Sequence, residues 1–341
     1  MTIMIGIDPH KATHTAVAVN GNETVVGEFK LRASRTQGPR FMAWAETLGE
    51  RVWAIESANG LGYLLAQQLT TAGETVFDVP PVLASRLRVL GSGRSQKNDP
   101  NDARSIAIAA LRSERLQVVT VDDHPRVLRM LAKRHRDMAR LRTIHCSRLH
   151  ALLGEMVPGG VRSEINVNKA KQALDTIKAS DEVTRHRVMI CEELIAEIGG
   201  LDARLKASLK RVRAAVDASG TSVGEVYGIG PISAAMLIGY TGDVTRFPSK
   251  GHYATYNGTA PIEASSGPRQ RHRLNPRGNR QLNYAIHVAA IVQLRYPGQG
   301  RDYYDRKVAE GKTSKEAIRA LKRRISDRVY RHLVSDARRV S

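Results

Sequence analysis

The chain has 341 residues, enough for two domains with a core each, and no apolar run is long enough to span a bilayer. Its outlying property is charge, because 53 lysines and arginines against 33 aspartates and glutamates give a formal net charge of +20. This excess favours a polyanionic partner, nucleic acid first, since nucleic acid releases counterions when cations neutralise it; a ribosomal-type structural role and an anionic membrane surface are the alternatives. Aromatic residues make up only 5% of the chain, so contacts to the phosphate backbone should outweigh base stacking.

The first 124 residues predict a mixed α/β sheet domain. An apolar strand at 3–7 is followed by β-rich runs at 14–20 and 24–31, with Asn20-Gly21-Asn22 between them as a hairpin signal. Helical and strand patterns then alternate. The further predicted elements are helix 36–48, strand 51–57, helix 60–71, strand 75–80, and helices 82–90 and 102–112. Three meandering strands, with the fourth parallel to the first, are typical of a ribonuclease H-like sheet.

Acidic residues stand where such a sheet would gather them. Asp8 ends the apolar run of the first strand, and Glu56 ends the strand predicted to lie parallel beside it. Asp99 and Asp102 lie three apart at a helix start, although NDPND also fits an ordinary helix cap and turn. Clustered carboxylates repel one another, so hard divalent cations suit them, magnesium above all. Two such ions about 4 Å apart could activate a nucleophile and stabilise the leaving oxygen of a phosphodiester.

Long amphipathic helices are predicted after residue 124. Apolar residues recur at helical spacing over 128–152, between arginine-rich faces, and a second stripe covers 194–216. With no strand between them, they predict a helical hairpin or coiled coil over 125–219. A dimerising coil and a plain bundle with a solvated charged face fit equally. Cys146 and Cys191 form no CxxC pair, so we expect idle thiols, as in a cytoplasmic protein.

The third predicted domain covers 220–341. Gly228 and Gly230 belong to a YGIGP turn before a small-residue helix, which resembles a helix-hairpin-helix whose turn amides hold a DNA phosphate. An ordinary helix–turn–helix packing unit fits this turn as well. A loop rich in glycine, proline, serine and arginine is predicted over 257–282. Two helices are predicted after it, at 284–294 and 317–333.

Six segments carry a family resemblance: GIDPHK, AIES, NDPNDA, YGIGPISAAMLI, APIEASSG and RGNRQL. Together, in this order, they resemble the DEDD transposases of bacterial insertion sequences, the insertion sequence one-hundred-ten group. The resemblance implies a RuvC-like amino-terminal domain in which Asp8, Glu56, Asp99 and Asp102 hold magnesium, two ions per site. It also implies a helical carboxyl-terminal transposase domain, with the long basic helices serving assembly and RNA binding.

The same resemblance implies a recombinase rather than a simple nuclease. A serine of the second domain attacks DNA and forms a phosphoserine link; Ser266, directly before glycine, is the first candidate and Ser265 the second. Family members act as dimers that join into tetramers, in which one site takes its serine and its acids from different subunits. A structured bridge RNA pairs with donor and target DNA. The protein would then be bacterial, cytoplasmic and associated with the nucleoid when active.

Basic and glycine residues around these motifs are the predicted nucleic-acid contacts. They are Lys11, Gly228, Gly230, Arg269, Arg271, Arg273, Arg277 and Arg280. Three other functions stay open at this point. The first is a RuvC-like junction endonuclease that uses the same acids with water as nucleophile, and the second is a non-catalytic nucleic-acid scaffold. The third is an actin-like sugar kinase, although the glycine-rich phosphate turn of that fold does not follow Asp8.

Overall fold

The computed structural model describes residues 2–92, 99–114, 116–161, 165–263, 272–273, 275 and 278–340. The chain divides into two compact units, of which the first ends at Asp122 and the second begins at Asp123. The three-domain division predicted from the sequence stays a prediction. Among the described residues, no helix combines the length and the apolar character that crossing a membrane requires.

A six-stranded sheet is the framework of the first unit. Its strands are β1 (Ile3–Pro9), β2 (Thr13–Val19), β3 (Val25–Arg32), β4 (Arg51–Glu56), β5 (Val76–Val79) and β6 (Gln117–Val118). They lie in the order β3-β2-β1-β4-β5-β6. The first three form an antiparallel meander, β4 and β5 continue parallel to β1, and β6 is antiparallel to β5. This confirms the predicted ribonuclease H-like mixed sheet; the two-residue strand β6 was not predicted.

The predicted hairpin between β2 and β3 forms through its asparagine. Asn20 Oδ1 accepts hydrogen bonds from the main-chain N–H groups of Asn22 and Thr24, both at 3.0 Å. Glu23 takes a positive φ of 62° to complete the turn. A short polar side chain that replaces main-chain acceptors is a common way to build such a turn.

Helices cover both faces of this sheet. They are α1 (Gln37–Ala45), α2 (Tyr63–Thr71), α3 (Pro81–Ser92) and α4 (Asp99–Leu111). One apolar core, which includes Phe41, Trp53 and Leu69, joins the sheet to α1 and α2. The other, which includes Ala54 and Ile106, joins the opposite face to α3 and α4. Because strand residues alternate between faces, β1, β2, β4 and β5 each contribute to both cores.

The second unit is predominantly helical. Its helices are α5 (His124–Gly154), α6 (Val167–Asp175), α7 (Glu182–Ala218), α8 (Pro231–Thr241), α9 (Lys250–Tyr256), α10 (Arg280–Arg295), α11 (Gln299–Ala309) and α12 (Ser314–Val340). A small antiparallel ladder joins β7 (Ile262–Glu263) to β8 (His272–Arg273). The segment predicted as a loop therefore contains this ladder and the first residues of α10.

Helices α5 and α7 pair antiparallel within the chain. Ion pairs join Arg142 to Asp202 at 2.5 Å and Glu155 to Arg187 at 2.7 Å. The later residue of α5 pairs with the earlier residue of α7, so the two helices run in opposite directions. Leu149, Leu153, Cys191, Leu194 and Ile198 form an apolar core where the two helices meet. This is the helical-hairpin alternative of the sequence analysis, with the short helix α6 inserted in the connection. The dimerising coil stays a prediction.

Candidate functional site

Strand alternation decides which way Asp8 points. Ile5 and Ile7 belong to the core beneath α1 and α2, whereas Met4 belongs to the core beneath α3 and α4. Asp8 shares the parity of Met4 and therefore faces the α4 side of the sheet. Only 5% of Asp8 is exposed. The strand does not stop at this residue as its apolar run suggests; β1 continues through Pro9, which fixes the backbone on both sides of the carboxylate.

Glu56 reaches the same end of the sheet on the neighbouring parallel strand. Ile7 pairs with Ile55, so Asp8 and Glu56 each come one residue after a matched pair. Ala54 lies in the α3 and α4 core, and Glu56 has the same parity. The turn that follows is held by Asp78, whose Oδ1 accepts a hydrogen bond from the Ala58 N–H at 2.8 Å. The half-buried Glu56 thus ends its strand as predicted.

Helix α4 brings a third carboxylate to this end of the sheet. Asp99 and Asp102 both stand in the first turn of α4, where the helix dipole favours negative charge. Ligand atoms of Asp8, His10 and Asp99 all lie within 4.8 Å of one another. Glu56 and Asp102 are not members of this group. The structure therefore unites two of the four predicted acids with a histidine, and it places the other two at the adjoining strand end and helix turn.

Two side chains with basic nitrogens contact the carboxylates of the cluster. His10 Nε2 lies 3.4 Å from Asp8 Oδ2 and 3.6 Å from Asp99 Oδ1. Lys30 Nζ donates a hydrogen bond to Asp99 Oδ2 at 2.7 Å. That hydrogen bond, more than any other interaction, holds the pKa of Asp99 below its usual value, and His10 adds to the effect. The lowered pKa favours the ionised form of Asp99 beside the Lys30 ammonium, which is the state that binds a hard divalent cation.

Lys30 is a member of this site that the sequence analysis did not identify. Asp8 pairs with Thr15 across β1 and β2, and Thr15 pairs with Lys30 across β2 and β3. Residues directly opposite one another project on the same face of a sheet, so the side chains of Asp8, Thr15 and Lys30 lie on one face. Regular counting outward from the Asn20 turn would have given Phe29 instead, because the pairing of β2 with β3 shifts by one residue between Ala18 and Val19. His10 lies between the two carboxylates, although 47% of its side chain is exposed.

Gly6 controls how closely α4 approaches β1. A Cβ at this position would lie 2.1 Å from the main-chain oxygen of Ala103 and 2.5 Å from the main-chain nitrogen of Ala107. Both residues belong to α4, four and eight positions beyond Asp99 at its start. The missing side chain therefore permits the contact that places Asp99 beside Asp8.

Replacing Gly6 with alanine should push α4 away from β1 and separate the carboxylates. We expect a loss of about 3 kcal/mol in the free energy of unfolding, measured by chemical denaturation, because the clash is with backbone atoms. Divalent-metal binding, measured by calorimetry, should weaken in parallel. The control is Gly21→Ala in the β2–β3 turn, where a Cβ would meet nothing within 4 Å. Unaltered metal binding by the Gly6→Ala protein would show that this approach does not build the site.

The predicted nucleic-acid contacts are only partly among the described residues. Lys11 is exposed in the turn between β1 and β2, and Arg280 is exposed at the start of α10. Gly228 has a φ of 88° and packs against the main chain of Ala289, so its glycine is explained by backbone geometry and close packing. Gly230 is the residue before α8, where a Cβ would meet nothing within 4 Å.

The remaining predicted site residues belong to the segment around the two serines. For Arg273 only its backbone position in β8 is described. Ser265, Ser266, Arg269, Arg271 and Arg277 lie outside the described residues.

Two family models match the chain in succession. A DEDD transposase model of the IS110 type matches residues 5–158, and the model of the transposase IS116/IS110/IS902 family matches residues 220–305. The 44.8 kDa protein of insertion element IS116 from Streptomyces clavuligerus is 26% identical over 95% of this chain and 93% of its own length. The 42 kDa protein of insertion element IS900 from Mycobacterium paratuberculosis is 27% identical over 94% of this chain and 93% of its own length.

Among solved structures, T. thermophilus RuvC in complex with a Holliday junction substrate aligns with 35% of this chain and 100% of its own. Its identity is 15% and its TM-score is 0.28, which is too low to support a fold assignment. The ribonuclease H-like assignment rests instead on strand order and direction. The family models match both units in order, and relatives align over almost the whole chain, so the protein belongs to the IS116/IS110/IS902 family of transposases.

Proposed function

We propose that this protein is a DNA recombinase of an insertion sequence that cuts and rejoins DNA strands under the guidance of a structured RNA. Its acidic tetrad, Asp8, Glu56, Asp99 and Asp102, would hold magnesium, and Ser266 would be the nucleophile. The observation that carries the proposal is the convergence of buried Asp8 with Asp99, two carboxylates remote in sequence, within the 4.8 Å group. Membership in a transposase family makes DNA the expected substrate.

The residues at the cluster fit a hard divalent ion. Carboxylate oxygens are the ligands that magnesium prefers, and the phosphates of a bound strand would complete its octahedron. When bound, the metal supplies positive charge for a reacting phosphodiester and for the oxygen that leaves it. The carboxylates of Asp8 and Asp99 are preorganised by β1 and by α4, while Glu56 ends the parallel strand beside Asp8. Lys30 balances part of the charge of these acids through its ion pair with Asp99.

The serine step follows from the family resemblance. The Ser266 Oγ would attack a phosphorus atom of the DNA backbone, so that a new O–P bond forms while the bond from phosphorus to a deoxyribose oxygen breaks. The departing sugar hydroxyl gains a proton and the serine hydroxyl loses one, which conserves charge overall. The resulting phosphoserine ester keeps the energy of the broken bond, so a second DNA hydroxyl can reverse the step and join a new strand. This ability to rejoin distinguishes a recombinase from a nuclease that uses water.

Surface charge supports the binding of nucleic acid by the second unit. Helix α5 presents basic side chains on exposed positions along much of its length; they include Lys133, Arg134, Arg140 and Arg148. The net charge of +20 gives the whole chain the same preference. DNA and a guide RNA share the phosphate backbone that such faces recognise. Assembly into dimers and tetramers, with one site shared between subunits, belongs to this proposal on the strength of the resemblance alone.

If the protein is guided by RNA, one specific RNA should co-purify with it. Full-length protein purified from cells that carry its insertion sequence should bring down one discrete, structured RNA encoded by the element, identified by sequencing. An unrelated protein of similar net charge, purified in the same way, is the control for simple basicity. Recovery of the same random cellular RNA with both proteins would contradict RNA guidance. It would not bear on the proposed metal site.

A further inference from the structure

The two ends of the segment that carries Ser265 and Ser266 meet at a pair of glycines. A Cβ at Gly278 would lie 2.4 Å from the Cα of Gly258 and 2.5 Å from its nitrogen, so only glycine allows the two backbones this close. Gly258 itself takes a φ of 72°. One residue further, the Asn279 N–H donates a hydrogen bond to the Tyr256 carbonyl oxygen at 2.6 Å. We call residues 256–259 together with 278–279 the loop base.

A buried asparagine organises one side of the loop base. Asn257 is fully buried, and its Nδ2 donates a hydrogen bond to the Ser326 Oγ of α12 at 2.8 Å. Its Oδ1 accepts from the Thr259 N–H at 3.1 Å and from the Thr259 hydroxyl at 2.7 Å. The side chain thus binds the chain on the far side of Gly258. Buried polar groups satisfied in this way hold one geometry, because any other would leave them without partners.

A second asparagine connects the loop base to a buried lysine of α12. Asn283 Nδ2 donates to the Asn257 carbonyl oxygen at 3.0 Å, and Asn283 Oδ1 accepts from Lys322 Nζ at 2.5 Å. Lys322 is 8% exposed, and among the described residues no carboxylate forms an ion pair with it. Burial lowers the pKa of Lys322 to about 8. Lysine is seldom buried without a counter-charge, because burying an unpaired charge lowers the stability of the folded protein. The burial of Lys322 therefore suggests a specific role for it.

The reason lies in the direction of the hydrogen bonds. A lysine ammonium can only donate, whereas a carboxamide has an acceptor on one side and donors on the other. Lys322 therefore compels Asn283 to turn its oxygen toward α12 and its NH₂ group toward the loop base. With the amide reversed, two oxygens would face each other at the Asn257 carbonyl, and two donors would face each other at Lys322.

We propose that Lys322 is a positioning residue for the segment that carries the candidate nucleophile: it orients the Asn283 amide, which in turn holds the main chain of Asn257 at the loop base. The contacts from Lys322 through Asn283 to Asn257 carry this inference by themselves. Its consequence for catalysis rests on the proposed function, since it requires that Ser266 of this segment attack DNA.

The test is Lys322→Met in the full-length protein, which keeps the bulk of the side chain and removes the donor. Hydrogen exchange of the Thr259 and Asn279 amides should accelerate by about tenfold, as expected for the loss of a charge-assisted hydrogen bond. The Tm should stay the same or rise, because a buried cation without a counter-ion is removed. DNA affinity should not change, while the rate of strand cleavage should fall. The matched control is Arg319→Met, one turn away on α12 and exposed.

Two outcomes would overturn this inference. Unchanged exchange at Thr259 and Asn279 would show that Lys322 does not hold the loop base. A lower Tm with faster exchange throughout α8 and α10 would show that it only supports the general core. A further variant, Asn283→Asp, keeps an acceptor for Lys322 but has no donor for Asn257, so it should accelerate the same two amides. Since the exchange measurement involves no catalysis, a failure of the serine mechanism would leave it intact and would be recognised separately.

Discussion

Asp8→Asn should abolish metal-dependent DNA cleavage and strand exchange while DNA affinity stays near that of the wild type. Asparagine has the shape of aspartate, but it lacks the charge that a divalent ion needs, and the residue is buried, with 5% of its surface exposed. We expect a fall of at least about 10³-fold in the cleavage rate, since the ion would be held by one ligand fewer at the centre of the cluster. Single-turnover cleavage of labelled DNA measures this, and filter binding measures affinity.

A metal-binding readout separates this effect from misfolding. Magnesium should raise the unfolding free energy of the wild type, by about 2.7 kcal/mol at a concentration of 100 Kd, and should leave that of Asp8→Asn almost unchanged. The control is Glu28→Gln, which removes an exposed carboxylate from β3, the strand of Lys30. It should behave like the wild type in both measurements. Cleavage that survives in the Asp8→Asn protein would refute a metal site built on this residue.

Ser266→Ala should eliminate the covalent protein–DNA adduct and strand exchange together. Without the hydroxyl no phosphoserine ester can form, and the loss of a nucleophile reduces rates by about 10⁴-fold or more. The adduct is detected by denaturing electrophoresis of the protein with labelled DNA. The neighbouring Ser265→Ala is the matched control and should retain the adduct. The reverse pattern would assign the role to Ser265.

The same pair of variants decides between recombinase and junction endonuclease. An endonuclease that uses water needs the acids but neither serine, so cleavage would persist in both alanine variants without a trapped adduct. A non-catalytic scaffold would respond to none of these substitutions, including that of Asp8. The Asp8 variant therefore separates the two enzymes from the scaffold, and the serine variants separate the recombinase from the endonuclease.

Much of the first unit could be predicted because its signals are local. Short, nearly continuous apolar runs define β1, β2 and β4, and an asparagine–glycine turn defines the hairpin that joins the second strand to the third. A helix between β3 and β4 then allows the fourth strand to return parallel beside the first. From this order alone, Asp8 and Glu56 are expected at one end of neighbouring strands. Residue type, periodicity and chain order carry all of this information.

Only the tertiary structure showed the contacts between side chains that are remote in sequence, because no local pattern connects them. Lys30 joins the acidic cluster through the register of three strands, and Gly6 admits α4 to its distance from β1. Lys322 stands in a helix whose sequence is typical of an exposed basic face, and it is nevertheless buried beneath the loop base. The amino-acid sequence by itself determined the strands, the hairpin and the placement of acids at strand and helix ends, because periodicity and turn chemistry act over a few residues. The partners of those acids, and the burial of a lysine, depend on how remote segments pack, since burial and contact belong to the assembled core.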